Sequence, residues 1–207
     1  MHLIDKYIFE YTQGFVFNHI KHLSERVYDV EIDIDVFEYR DQLNRREKAK
    51  VVFKKGDLIY ECDFCDRHGG FYPIILNGQR YICFMKTLYG FALINADTLS
   101  LEYEYFPESV LRGEESFIIT HIKQLDTLLI FEGCYWAFPY ECFAFDCKAK
   151  LFLNVSKMCN IFSLDKTVLQ NDELTIYGTD ENNSKKQVTV SKQAITIGIN
   201  ERGASDF

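Results

Sequence analysis

Alternation of apolar and polar residues is the main pattern in this chain. Residues 29 to 36 alternate without interruption, so that one face carries Val30, Ile32, Ile34 and Val36 and the other carries Asp29, Glu31, Asp33 and Asp35. A period of two residues is typical of a strand with one buried and one solvated face. The acidic row could bind a cation or a basic partner, but the simpler interpretation is that it keeps an exposed strand from pairing with other chains.

Turn signals separate further strand-like segments. The most specific is Asn77-Gly78, which lies between the apolar segments 73–76 and 80–84. Both residue types tolerate a positive φ, as a type I′ hairpin turn requires. Four more hairpins are predicted, with turns at residues 55–57, 95–98, 126–127 and 146–150.

The two ends of the chain are less regular. Residues 5–23 predict a hairpin divided by Gly14, with a short amphipathic helix over 16–23 as the alternative. In that helix His19 and His22 would share a face, as a pair of metal ligands would. At the other end, residues 195–199 are expected to form the last strand and residues 200–207 a frayed tail.

Helix is predicted only in short pieces. Residues 39–48, the most polar early segment, are expected to form a short helix or a long loop. Pro107 to Arg112 predicts a single helical turn, with proline near its start and Gly113 after its end.

These segments together predict an all-β protein. Short strands joined by tight turns form antiparallel β-meanders, which we expect to be blade-like, as in an incomplete or irregular propeller; a sandwich is the alternative. A propeller blade takes about 40–45 residues, so 207 residues hold at most about five blades. We predict one domain over residues 1–207.

The balance of charge bears on the class of partner. With 31 acidic and 23 basic residues the formal net charge is -8, whereas a nucleic-acid binder needs a basic surface. The one basic run, from Arg40 to Lys55, is interrupted by acidic residues and is interpreted as a solvated loop and strand face. We therefore expect no nucleic acid as partner and a basic protein as the candidate partner.

The sequence also predicts a cytoplasmic location. Residues 1–6 lack a basic segment followed by an apolar one, so a secretory signal is not expected. No apolar run approaches the roughly 20 residues that span a bilayer, so no membrane association is expected. Seven cysteines without an export signal indicate reduced thiols.

Cys62 and Cys65 form a C-x-x-C motif, with His68 three residues further on. This spacing suits one side of a zinc site, but a closed site needs four ligands, and Cys134 and Cys142 do not have the spacing of a second knuckle. A redox motif would open a helix. Our interpretation is packing of reduced cysteines without a cofactor, with a structural zinc protein as an alternative.

No motif establishes catalysis. The chain has neither a Gly-x-Ser-x-Gly elbow nor a phosphate-binding glycine loop. Asp66 beside His68 could support acid–base chemistry, and Cys134 with His121 could form a nucleophile–base pair if the fold brings them together. The alternative function is accordingly a small hydrolase-like enzyme with a pocket on the rim of a sheet.

The aromatic segment 133–142 is the better candidate for a functional surface. It contains the only tryptophan, and its large side chains and one carboxylate are Tyr135, Trp136, Phe138, Tyr140 and Glu141. Aromatic side chains with polar tips anchor binding interfaces. The alternative is that the aromatic residues fill the core of a meander.

The same segment resembles one found in a family of small bacterial proteins whose activity is uncharacterised. The resemblance covers roughly residues 81–146 and is most specific at Gly-Cys-Tyr-Trp-Ala-x-Pro-Tyr. The family segment is similar to DGCYWACPYE, and here Glu132 replaces the Asp and Phe138 replaces the second Cys. The resemblance implies a bacterial cytosolic β-protein, and the replaced Cys argues against an essential metal or disulfide at this segment.

The function we predict is therefore non-catalytic. An all-β body that presents an aromatic and acidic surface suits a binding or interaction protein. One specific form is an acidic protein that neutralises a basic partner, as immunity proteins do.

Overall fold

A computed structural model describes residues 3–41, 44–64, 70–114, 116–136 and 139–202 of the chain. It is 60% strand and 14% helix, which confirms the all-β prediction. The described strands are β1 (Asn18–Val27), β2 (Val30–Asp41), β3 (Asn44–Lys55), β4 (Leu58–Phe64), β5 (Phe71–Leu76), β6 (Gln79–Met85), β7 (Phe91–Asn95), β8 (Leu101–Tyr105), β9 (Phe117–Leu125), β10 (Leu128–Tyr135), β11 (Tyr140–Asp146), β12 (Leu151–Asn154), β13 (Ser163–Gln170), β14 (Glu173–Thr179) and β15 (Lys185–Ser191). The described helices are α1 (Leu3–Thr12), α2 (Glu108–Leu111), α3 (Val155–Met158) and α4 (Lys192–Arg202).

The strands form four sheets in which neighbours in sequence are neighbours in space. Three sheets have four strands, in the orders β1-β2-β3-β4, β5-β6-β7-β8 and β12-β11-β10-β9, and the fourth has three, β13-β14-β15. This arrangement confirms the predicted blade-like antiparallel meanders. The turns also agree, since Asn77 and Gly78 have φ values of 52° and 78°, the signs that a type I′ turn requires.

The chain divides into two compact units. The first comprises Met1–Ile74 and Gly78–Leu111, and the second comprises Ile75–Asn77 and Arg112–Phe207. Each unit has its own core, formed by β2, β3, β6 and β7 in the first unit and by β10, β11, β14 and α4 in the second. The prediction of a single domain over residues 1–207 stays a prediction.

The predicted apolar face of β2 is buried. Val30, Ile32, Ile34 and Val36 are each at most 3% exposed and belong to the core of the first unit. Aromatic rings complete this core, with the centroids of Phe53 and Phe84 5.0 Å apart. Burial of aliphatic and aromatic surface of this kind is the main force that holds such a meander together.

The acidic face of β2 has a different role from the one predicted. β2 lies between β1 and β3, so its carboxylates do not guard an edge. They pair across the strands instead: Asp33 with Lys54 at 2.7 Å, and Asp35 with both His19 and His22, at 3.2 and 3.0 Å. Hydrogen bonds from His22 and His19 lower the pKa of Asp35 below its ordinary value.

The basic run from Arg40 to Lys55 forms a charged strand face, as predicted in part. Six of its seven cations contact carboxylates: Arg45 with Glu38, Arg46 with Asp41, Lys48 with Asp63, Lys50 with Glu61, Lys54 with Asp33 and Lys55 with Asp29 and Asp97. The prediction of a helix or long loop over 39–48 was wrong, because β2 continues to Asp41 and β3 begins at Asn44. The charges of neighbouring strands compensate each other, so this polar segment pairs as a sheet.

The hairpin predicted over residues 5–23 was wrong, and so was its helical alternative over 16–23. Residues 3–12 form α1, whose Ile4 and Ile8 are buried one turn apart, and His19 and His22 lie on β1. The buried Lys86 fixes the helix, because its Nζ donates to Asp5 at 2.6 Å and to Glu104 at 2.9 Å. Burial alone would lower the pKa of Lys86, but these two hydrogen bonds outweigh it and raise the pKa.

Residues 195–199 form a helix rather than the predicted strand. Ile195 and Ile199 are fully buried in the core of the second unit, whereas Ile197 is 46% exposed. The spacing of four residues therefore fixes the conformation, and α4 extends to Arg202. Residues 203–207 of the expected frayed tail lie outside the described residues.

The single helical turn predicted after Pro107 is confirmed as α2. None of the helices in the described ranges has the length and apolar character to cross a bilayer.

Candidate functional site

The aromatic segment forms the connection between β10 and β11. Cys134 pairs with Tyr140 and Gly133 pairs with Glu141 across the hairpin, so Tyr135 and Glu141 lie close together at the end of the sheet. Of the predicted site residues, Phe138 lies outside the described residues, as do Cys65, Asp66 and His68. Tyr135, Trp136, Tyr140 and Glu141 are all described.

Trp136 lies on the surface. Its side chain is 62% exposed, and its backbone has a φ of 60°, in the left-handed region. This conformation is uncommon for a bulky side chain and directs the residue out of the strand that precedes it. The alternative that all the aromatic residues of the segment fill the core is therefore wrong for Trp136.

Tyr135 and Tyr140 pack against other residues of the second unit. Tyr140 packs partly against the core of the second unit. The ring of Tyr135 contacts Phe117 edge to face, with centroids 5.5 Å apart, and Phe117 contacts Phe143 in the same way at 4.8 Å. Burial, with a smaller contribution from the Glu141 charge, raises the pKa of Tyr135 to about 12, so its hydroxyl stays protonated at neutral pH.

Glu141 is held in place by a chain of hydrogen bonds. Asn154 Nδ2 donates to its Oε2 at 2.6 Å. Asn154 is itself fixed, because its Oδ1 caps α3 by accepting from the backbone N–H of Lys157 at 2.8 Å. Among the described residues no cation forms an ion pair with Glu141.

A groove of about 520 Å³ adjoins the connection in the second unit. Ile161 is buried in it and Phe162 is 51% exposed, so part of the wall is apolar. The lining combines carboxylates, lysines, amides and apolar side chains: Pro139, Glu141, Lys157, Asn160, Ile161, Phe162, Asp180, Glu181, Asn182 and Lys186. The groove can therefore accept a segment that carries both an apolar and a charged side chain.

The acidic end of the groove is ordered by its own turn. Asp180 Oδ1 accepts from the backbone N–H groups of Asn182 and Ser184, both at 2.9 Å. Lys186 also lines the groove, and its Nζ donates to the carbonyl of Asn160 at 3.2 Å. Sequence reasoning missed that Phe162, Asp180 and Lys157 line one groove with Glu141, because 16 to 39 residues separate them from it and only the fold brings them together.

Cys62 is placed as a packing residue. It is 8% exposed within the core of the first unit, and burial raises the pKa of its thiol to about 12. A buried thiol that stays protonated is a poor metal ligand or nucleophile. Within the described part of the chain, no three His, Cys, Asp or Glu side chains form a group that could hold a metal ion.

The proposed nucleophile–base pair is not assembled. Cys134 is 6% exposed. The ring of His121 contacts other groups, with Nδ1 3.2 Å from Thr120 Oγ1 and 3.9 Å from Glu132 Oε2. Glu132 is in turn bound by Lys123 and Thr167, so this cluster joins β9, β10 and β13.

Comparison with known proteins adds little to this geometry. No protein-family model matches the chain, and no curated protein matches it; the resemblance at residues 81–146 therefore stays a prediction. Among solved structures, the crystal structure of HIRA(644-1017) is similar over 86% of this chain and 56% of that chain, with 8% identity and a TM-score of 0.38. The chain thus spans little more than half of that structure, and a likeness at this level says nothing about activity or partners.

Proposed function

We propose that the protein is a non-catalytic interaction module that binds a basic segment of a partner protein. The docking surface is the β10–β11 connection together with the adjoining groove. One observation carries this proposal. The exposed Trp136 follows directly after β10, and the neighbouring strand β11 carries Glu141, whose carboxylate is held by a hydrogen bond. An aromatic face and an ordered carboxylate on the same hairpin suit an arginine or lysine side chain.

The charges of the groove and of the chain support a basic occupant. Glu141, Asp180 and Glu181 contribute three carboxylates to the lining, whereas Lys157 and Lys186 contribute two cations, of which Lys186 is turned to the carbonyl of Asn160. The formal net charge of -8 would attract a cationic partner over longer distances. A protein that neutralises a basic partner, in the manner of an immunity protein, is the specific form that we propose.

The only tryptophan gives a direct assay. Trp136 fluorescence reports on this surface alone, so polyarginine serves as the basic probe and polyglutamate as its counterpart. We expect polyarginine to change the emission, less so at high salt, and polyglutamate to leave it unchanged. Glu141→Gln should weaken binding about tenfold, the effect of losing one charge-assisted hydrogen bond.

Matched variants separate this surface from general acidity. Glu25→Gln removes the same charge from the exposed strand β1 and should leave binding nearly unchanged. For capture of natural partners, Trp136→Ala is compared with Phe9→Ala, which removes another exposed aromatic side chain. Equal binding of the two polymers, or equal losses from Glu141→Gln and Glu25→Gln, would contradict the proposal.

A further inference from the structure

We propose that two copies of this chain pair through the free edge of β15. The sheet β13-β14-β15 has three strands, whereas each of the other three sheets has four. After β15 the chain does not return as a fourth strand but enters α4 directly, at Lys192. The backbone groups on the outer side of β15 therefore lack a strand partner within the described chain, and such an edge is a template for a further strand.

The edge of β15 lacks the irregularities that most of the other edge strands carry. The pairings that involve β1, β8, β9 and β13 each contain a register shift, and β12 has only four residues. β15 pairs with β14 over seven residues without a shift and contains no proline. β4 is equally regular, and a helix contacts each of these two strands, α1 contacting β4 and α4 contacting β15. Among the edge strands β1, β4, β8, β9, β12, β13 and β15, the two most open to another strand are thus β4 and β15, and of these two only β15 belongs to a three-stranded sheet.

The side chains of β15 have one apolar and one polar face. Val188 and Val190 are half-buried and pack against the core of the second unit, and Lys185, Gln187 and Thr189 are exposed on the other face. A strand laid alongside would cover the remaining exposed surface of the two valines. It would need the same alternation, apolar on one face and polar on the other.

A second copy of β15 satisfies this requirement in a symmetric register. If the two strands run antiparallel about a two-fold axis at Val188, the central strand residue, Val188 faces itself and Gln187 faces Thr189. Lys186 then faces Val190 and Lys185 faces Ser191, so neither lysine opposes a lysine. Pairs of β-branched residues stabilise antiparallel sheets, and like charges placed opposite would destabilise them.

The geometry also limits the size and strength of the assembly. β15 has one free edge, so the symmetric contact closes as a dimer with a six-stranded sheet across it. Two chains of net charge -8 repel each other at a distance. Dimerisation should therefore be weak at low ionic strength and should strengthen as salt screens the repulsion.

Sedimentation velocity on the 207-residue chain tests the contact. The matched variants are Gln187→Lys/Thr189→Lys and Gln187→Lys/Thr189→Glu. Both lose the hydroxyl contact between Thr175 and Thr189, which is 2.9 Å long, so they differ only at the introduced acid or base. In the proposed register the first variant places like charges opposite each other twice, and the second places opposite charges there twice.

We expect the wild-type chain to pass from monomer to dimer between about 10 µM and about 1 mM, as weak interfaces do. The Lys/Lys variant should dimerise at least about tenfold more weakly than the Lys/Glu variant. Thermal unfolding of both variants checks that each monomer is folded. A wild-type chain that stays monomeric over this range, or equal dimerisation of two folded variants, would overturn the proposal.

Discussion

At the scale of single residues, Asp97 lies at the centre of a small network of charges. It accepts hydrogen bonds from Arg80 and from Lys55, the latter at 2.8 Å. The same two cations contact Asp29, at 3.2 and 3.1 Å. Arg80 first and Lys55 second lower the pKa of Asp97 to about 2. This exposed network joins the turn after β7 to β3 and β6, and the ion pairs of Asp97 within it require that Asp97 is ionised.

The pH dependence follows from the direction of this shift. Because the pKa of Asp97 is lower in the folded chain than the ordinary pKa of an aspartate, the ionised group stabilises the fold above that ordinary value. The stabilisation is lost as the pH falls towards about 2. Asp97→Asn should therefore lower the urea midpoint at pH 7, and the difference from wild type should vanish near the pKa of about 2.

Asp57→Asn is the matched control for this prediction, because Asp57 lies in an exposed turn. It should leave the urea midpoint nearly unchanged at both pH values. Nuclear magnetic resonance titration of the Asp97 carboxyl gives an independent measurement. A titration midpoint near the ordinary pKa of aspartate would show that Arg80 and Lys55 do not lower the pKa of Asp97.

At the scale of elements, Gly133 shows how tightly β9 and β10 approach each other. A Cβ at this position would lie 1.9 Å from the carbonyl oxygen of Ile118 and 2.8 Å from the ring of Phe117. The register shifts at this point, between Glu132 and Gly133. A backbone oxygen cannot move aside as a flexible side chain does, so any larger residue must distort the pairing that supports the candidate site.

Gly133→Ala should destabilise the protein by about 3 kcal/mol, the upper range for overpacking a well-packed core. Gly113→Ala is the comparison. Gly113 has a φ of 71° and nothing within 4 Å of an added Cβ, so its substitution should cost only about 1 kcal/mol from the left-handed backbone. The free energy of unfolding in urea measures both, and equal losses would contradict the close approach at Gly133.

The elements also show what the sequence could and could not predict. Strands such as β2 were predicted correctly because their alternation matches burial residue by residue. α4 was missed because Ile195, Ile197 and Ile199 fit an alternating strand, and only the core contacts of the second unit leave Ile197 outside. The polar segment 39–48 was missed because its charges are compensated by neighbouring strands, which a local pattern does not contain.

The candidate site was predicted to the same limited extent. The density of aromatic residues around Trp136 indicated the β10–β11 connection. The groove was not predicted, because its walls come from α3 and from the turn after β14. Its carboxylates at Asp180 and Glu181 look like an ordinary polar loop until the fold places them across from Glu141.

At the scale of the whole molecule, the thiols belong to the interior. All six cysteines in the described ranges are buried thiols: Cys62, Cys83, Cys134, Cys142, Cys147 and Cys159. Burial raises the pKa of Cys62 and Cys147 to about 12 and raises that of Cys142 and Cys159 as well. A reagent that needs an exposed thiolate should therefore find none of these six in the native protein.

Iodoacetamide labelling near pH 8, read peptide by peptide by mass spectrometry, measures this. We expect the six cysteines to stay unlabelled in the native chain and to react fully in denaturant, which serves as the control. Cys65 lies outside the described residues and outside this prediction. Rapid native labelling of any of the six would show that its core opens far more readily than its burial implies.

The left-handed backbone conformation of Trp136 lowers the stability of the fold. An L-residue in that conformation costs about 1 kcal/mol, which glycine avoids. Trp136→Gly and Trp136→Ala both remove the indole, so both should lose partner binding, but the glycine variant should unfold at a higher temperature than the alanine variant. The φ angle of Trp136 would then account for a loss of thermal stability, separately from the contribution of its indole to partner binding.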